Sequence, residues 1–184
     1  MLPINSWHLT QAVNCVRAGG VLAYPTEAVW GLGCDPANEA AIQRILDLKA
    51  RPWQKGLVLV AASLQQLEPW LLPLSEADEA TVQATWPGPV SWVLPCRESV
   101  TPLLRGTHTS LAVRIPDHPL VRALCEQVGP LVSTSANPAG REPARTSLRV
   151  RQYFGTALDG ILPGQLGGRK NPSEIRTLSG ERLR

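Results

Sequence analysis

Five short apolar runs, Val21 to Tyr24, Leu57 to Ala61, Val90 to Leu94, Leu111 to Ile115 and Leu131-Val132, recur along the chain between segments whose apolar residues fall at helical spacing. Runs this short read as buried strands, so the alternation predicts an α/β fold with a sheet that is at least partly parallel or mixed. Caps and stops place the helices. Leu9, Ala12, Val13 and Val16 share one face, with Ser6 as the expected cap and Gly19-Gly20 as the stop. Asn38 caps a helix that carries Ile42, Ile45, Leu46 and Lys49 and ends before Pro52. Ser63 is expected to cap a helix through Leu64 and Leu67, Ser75 to Trp86 reads as an acidic helix, and His118 to Val128 as a helix stopped by Gly129-Pro130. The tail is less regular: 164–172 reads as a loop, and Ser173 to Arg184 as two short strands around Ser179-Gly180.

A length of 184 residues suits one domain with a sizeable core, and no stretch has the composition of an interdomain linker. The net charge of +3 permits contact with polyanions without marking a dedicated nucleic-acid binder. Four cysteines, at 15, 34, 96 and 125, are too scattered for a metal or redox pair and too few for a disulfide scaffold, so reduced and mostly buried thiols are expected. The first residues lack a basic segment followed by an apolar one, and no apolar run approaches membrane-spanning length, which makes a cytoplasmic location the expectation.

The chemistry is concentrated where strands end. Tyr24-Pro25-Thr26-Glu27-Ala28-Val29-Trp30-Gly31-Leu32-Gly33 leaves the first strand through a proline, a polar pair and two glycines, and reads as a loop; Ser133-Thr134-Ser135-Ala136-Asn137 leaves a later one. Ligands of α/β sheets gather at the carboxyl ends of strands, so both stretches are expected to share one concave cleft. Lys49 and Arg51 lie where their helix runs out, either as a solvated end or as a point charge and a planar fork for polyphosphate. Arg114, embedded in Leu-Ala-Val-Arg-Ile, needs a partner: an acid such as Asp117 or Glu126, or a substrate carboxylate. Ser133, Thr134, Ser135 and Asn137 offer uncharged donors, with Arg141 and Arg145 adding charge beyond them. Other chemistries lack their residues. No phosphate-binding Gly-x-x-x-x-Gly-Lys loop, complete dinucleotide fingerprint or His-Glu-x-x-His is present, and Cys34 has no partner histidine in the sequence, so it reads as structural.

Together, the Tyr24 to Gly33 stretch, Lys49-Ala50-Arg51-Pro52, Ser110-Leu111-Ala112-Val113-Arg114 and Ser133 to Asn137 resemble the YrdC-like threonylcarbamoyl-AMP synthase family, most of all its short bacterial form (TsaC). The resemblance covers essentially the whole chain. It implies a twisted mixed sheet flanked by helices and a reaction in which L-threonine, bicarbonate and ATP, assisted by Mg2+, give threonylcarbamoyl-AMP and pyrophosphate. It implies a partner enzyme that uses the adenylate to modify transfer RNA. Carried over by position, Lys49, Arg51, Ser135 and Asn137 form a central tetrad; Ser110, Arg145 and Arg184 are further ATP contacts; Thr26, Arg114 and Ser173 contact threonine. Ala28 and Trp30 stand where the family often has Thr and Tyr, and Ala139 replaces a frequent serine. Longer relatives carry a second domain and a linker over the site; how the cleft closes here is open, and the Gly167-Gly168 loop and the tail to Arg184 are expected to help cover it. The inventory fits, because a carbamate attacking the α-phosphorus needs alignment and charge neutralisation more than a side-chain base. The competing readings are an RNA-binding module using the cations at 49, 51, 114, 141, 145, 169 and 170, and carbamoyl transfer of the hydrogenase-maturation kind, whose zinc-finger cysteine pairs this sequence lacks.

Overall fold

The computed structural model describes residues 5–183. Among these residues, eight strands, β1 (Leu22–Pro25), β2 (Trp30–Gly33), β3 (Val58–Val60), β4 (Val90–Pro95), β5 (Ser110–Arg114), β6 (Leu131–Ser135), β7 (Gly160–Ile161) and β8 (Glu174–Thr177), form one sheet in the order β7-β1-β2-β6-β3-β5-β4-β8. Pairing is mixed: β1 with β7, β3 with β5 and β4 with β8 are parallel, and the remaining neighbours are antiparallel.

Among the described residues, six α-helices cover the sheet: α1 (Ser6–Arg17), α2 (Glu39–Lys49), α3 (Glu76–Gln83), α4 (Pro102–Arg105), α5 (Pro119–Val128) and α6 (Ser147–Phe154). Strand residues alternate between two faces, as the pleat requires. Leu22, Tyr24, Val60 and Leu131 pack against Ala12, Val13 and Val16 of α1 and Val121, Leu124 and Cys125 of α5. Their neighbours point the other way: Leu59, Val113 and Val132 meet Ile42 and Ile45 of α2, Val82 of α3 and Leu104 of α4, while Ala23 and Leu32 meet Val150 and Phe154 of α6. Among the described residues, no helix is long and apolar enough to cross a membrane.

Several elements differ from the sequence reading. The α1 cap is Asn5, whose side chain accepts from the His8 amide, and Ser6 is the first helical residue. Ser63 caps no α-helix; a single 3-10 turn, Gln65–Leu67, follows it. Helices α4 and α6 are additions, each short and opened by a threonine cap. In the tail, β8 forms as expected, but its return is reduced to an isolated bridge between Arg176 and Arg182.

The largest difference is β2, a strand where the two glycines suggested a loop. Gly33 serves close approach instead of a turn. A Cβ on Gly33 would lie 2.4 Å from the Val132 carbonyl oxygen and 2.8 Å from Tyr24 Cε1, and backbone oxygen cannot yield cheaply. Gly33→Ala is therefore expected to lower unfolding stability by roughly 3 kcal/mol, the upper part of the overpacking range. A denaturant midpoint unchanged from that of the parent protein would contradict it.

Candidate active site

A cavity of about 210 Å³ opens on the face of the sheet that carries α1 and α5, lined among others by Thr26, Glu27, Arg51, Arg114, Ser133, Ser135 and Ser173. The shared strand edge accounts for only part of this lining. Strands β1 and β6 both run antiparallel to β2, so Pro25 and Ser135 do end on one side. Strand β5, however, runs against β6 through β3, with Arg114 opposite Val60 and Val60 opposite Leu131. Arg114 joins the others because side chains of matching pleat parity share a face, not because strand tips converge.

Lys49 ends α2 and is only 4% exposed, so it is not a solvated helix end. The reason is local: Ala50 turns the chain into the left-handed region at φ 48°, and the Arg51 amide bonds back to the Leu46 carbonyl, closing the helix against the core. The Lys49 ammonium donates to the Ser135 carbonyl, to the Asn137 carbonyl at 2.8 Å and to Asn137 Oδ1 at 3.4 Å. The four tetrad residues are thereby brought together, but in two groups. Arg51 and Ser135 line the cavity, whereas Lys49 and Asn137 are outside its lining and fix the backbone of the Ser135-to-Asn137 turn; Asn137 Nδ2 adds bonds to the carbonyls of Pro138 and Arg141. Burial, and then the neighbouring Arg51 charge, bring the Lys49 pKa down to about 8.

Arg51 is oriented by its own loop, Nε and Nη2 donating to the Gly56 carbonyl at 3.2 and 2.9 Å. Thr26 closes a tight turn, its hydroxyl donating to the Val29 carbonyl at 2.7 Å. Burial raises the Tyr24 phenol, which stays protonated and donates to Ser133 Oγ at 2.8 Å. The Ser133 hydroxyl is thus an acceptor there, and its own proton is left for the cavity it lines. Desolvation pushes the Cys34 thiol up to about 12, in keeping with its structural reading.

Arg114 meets neither Asp117 nor Glu126 through their carboxylates. Its Nη2 lies 3.2 Å from Glu27 Oε2, and Glu27 Oε1 accepts from the Asp117 backbone amide at 3.0 Å. Glu27 was not singled out in the sequence. The signal was a buried-looking cation lacking a partner on its own strand, combined with an acid inside the most distinctive motif.

Residues 162–174 run as a strap across this end of the sheet. Gly167 and Arg169 amides donate to the Thr26 and Glu27 carbonyls at 3.0 and 2.9 Å, His118 Nε2 lies 3.0 Å from the Gln165 carbonyl oxygen, and Ser173 Oγ lies 3.1 Å from Ser91 Oγ. Arg169, Asn171, Pro172 and Ser173 form part of the cavity wall. Arg145 holds the Lys170 carbonyl at 2.9 Å, outside the lining, and Ser110 opens β5 opposite Pro95, also outside it. Arg184 lies outside the described residues. A second cavity, of about 340 Å³, lies among Leu64, Leu71, Leu72 and Leu74, but none of the four motifs reaches it.

Residues 14–184 match the Sua5/YciO/YrdC family model, described as "Telomere recombination". The chain belongs to the Sua5/YciO/YrdC family. Two relatives from this family, both named threonylcarbamoyl-AMP synthase, agree along nearly their whole length. That of Pseudomonas aeruginosa is 57% identical over 175 residues, 95% of each chain, and that of Nitrosococcus oceani is 54% identical over 181 residues, 97% of this chain and 98% of the relative. The crystal structure of P. abyssi Sua5 complexed with L-threonine superposes with a TM-score of 0.92 at 31% identity; it covers all of this chain, which spans only 55% of that longer one. The Sua5/YciO/YrdC assignment agrees with the mixed sheet and with the four motifs that meet at one cavity wall.

Proposed function

We propose that this protein is a threonylcarbamoyl-AMP synthase, an enzyme that joins L-threonine, bicarbonate and ATP. The observation that carries the reading is the gathering of three arginines, Arg51, Arg114 and Arg169, with Thr26, Ser133, Ser135 and Ser173 around one cavity. Such a wall suits a reaction between anions. Threonine's amine and bicarbonate combine with loss of water to a carbamate, whose oxygen attacks the α-phosphorus of ATP as pyrophosphate leaves. Arg114 would take the threonine carboxylate, with Thr26 and Ser173 beside the substrate. Arg51 and the Ser133 and Ser135 hydroxyls would hold the phosphates, with Lys49 and Asn137 fixing the turn that presents Ser135. The adenosine would extend beyond the cavity, where Ser110, Arg145 and Arg184 are the remaining residues expected to meet ATP.

Magnesium fits this site as a passenger on the triphosphate. Among the described residues, no three His, Cys, Asp or Glu side chains gather into a cation site, and the Glu27 oxygens already face Arg114 and the Asp117 amide. Mg2+ characteristically keeps several waters and binds through substrate phosphates, where it would neutralise charge. The strap at 162–174 would shield the labile carbamate from water. The adenylate would then pass, in the cytoplasm, to an enzyme that modifies transfer RNA.

Pyrophosphate release tests the reading. It is expected to require threonine and bicarbonate together, and carbamoyl phosphate is not expected to replace them. Release that ignores threonine would overturn the assignment and return attention to RNA binding.

A further inference from the structure

We infer that Glu27 is a positioning residue for recognition of the amino-acid carboxylate, acting through Arg114; the inference rests on the proposed role of Arg114. Glu27 is 3% exposed and Arg114 7%, so neither can trade its partner for bulk water. Each Glu27 oxygen has its own donor, Arg114 Nη2 at 3.2 Å and the Asp117 amide at 3.0 Å, which leaves the carboxylate no rotational freedom. Its backbone is fixed too. The Glu27 carbonyl accepts from the Arg169 amide, and the Gly167 Cα bears no side chain where a Cβ would come within 3.0 Å of Glu27 Cα.

Arg114, by contrast, commits one nitrogen to Glu27, and among the described residues its other nitrogens are not buried polar atoms left without a partner. Arg114 itself lines the cavity. A guanidinium held at one edge by a fixed carboxylate presents its other edge in one plane, the geometry that a second carboxylate meets bidentately. Glu27 also balances the Arg114 charge when the site is empty.

The test compares kcat/KM for threonine with that for threonine amide, which lacks the carboxylate, within each protein, so that the ratio is independent of how much enzyme is folded. Glu27→Gln keeps the shape and removes the charge; the preference for threonine over its amide is expected to fall roughly tenfold through threonine KM, with ATP KM and kcat at saturating threonine moving less than about twofold. Glu27→Asp, which keeps the charge, is expected to retain more of the preference than Glu27→Gln. An unchanged preference in Glu27→Gln overturns the inference. Arg114→Gln separates the two claims: if it also leaves the preference intact, the reading of Arg114 fails, and if it abolishes the preference while Glu27→Gln does not, only the role of Glu27 fails.

Discussion

Lys49→Ala is expected to slow adenylate formation at least tenfold, a loss of about 1.4 kcal/mol or more of transition-state stabilisation. The ammonium has two tasks. It pins the carbonyls of Ser135 and Asn137, and it places a positive charge against Ser135 of the cavity wall. Stability is expected to change much less than rate, because two effects oppose each other. Burying the charge shifts its pKa from 10.5 to about 8, on the order of 3 kcal/mol against the ionised form, while removing it strands acceptors that each lose on the order of 1 to 3 kcal/mol. Similar Tm values with a tenfold difference in turnover would show that the residue serves the reaction. Wild-type turnover in the variant would remove Lys49 from the site.

The same lysine sets a pH dependence whose sign differs for folding and for function. The unfolded chain holds the Lys49 proton more tightly than the fold does, so this group makes stability rise as pH climbs from about 8 to 10.5, its penalty being full below 8. On the proposed reading, binding of ATP instead needs the ammonium. In the free protein, affinity is expected to decline above about pH 8, a limb that Lys49→Ala lacks.

Arg51→Ala is expected to cost at least tenfold in rate as well, or about 1.4 kcal/mol, and Arg51→Lys to recover little of it. The guanidinium is anchored by Nε and Nη2 on the Gly56 carbonyl while lining the cavity. A lysine ammonium is a single point: it can sit on Gly56 or reach a phosphate, but it has no second edge with which to do both. Full recovery by lysine would mean that Arg51 supplies only charge.

Much of this architecture was legible because local signals and tertiary packing agree. The runs at Leu57, Val90, Leu111 and Leu131 became β3 to β6, and Asn38 caps α2 through the Ala41 amide as its position implied. Strand β2 was hidden because Gly31 and Gly33 carry no side-chain pattern; what selects glycine at position 33 is the proximity of Tyr24 and Val132, a relation between distant segments. The cap of α1 moved by one residue because Asn5 and Ser6 are both competent and the sequence does not rank them. At the site, Thr26, Arg51, Arg114 and Ser135 were legible as residue types and Ser173 only through the family resemblance; all five line one cavity. The division into residues that line the cavity and residues outside its lining was not legible, since whether a lysine at a helix end turns outward or inward depends on the carbonyls folded against it. The Glu27–Arg114 pair was missed for the same reason: the two residues are 87 positions apart.

The central claim is that one hollow on the sheet holds a nucleotide beside an amino acid and couples them through a one-carbon unit. Supplying the protein with threonine, bicarbonate and ATP, each labelled distinguishably, and isolating the nucleotide product tests it directly. The account requires one compound carrying adenylate, bicarbonate carbon and threonine in equal amounts. A nucleotide product lacking either the bicarbonate carbon or threonine would contradict it.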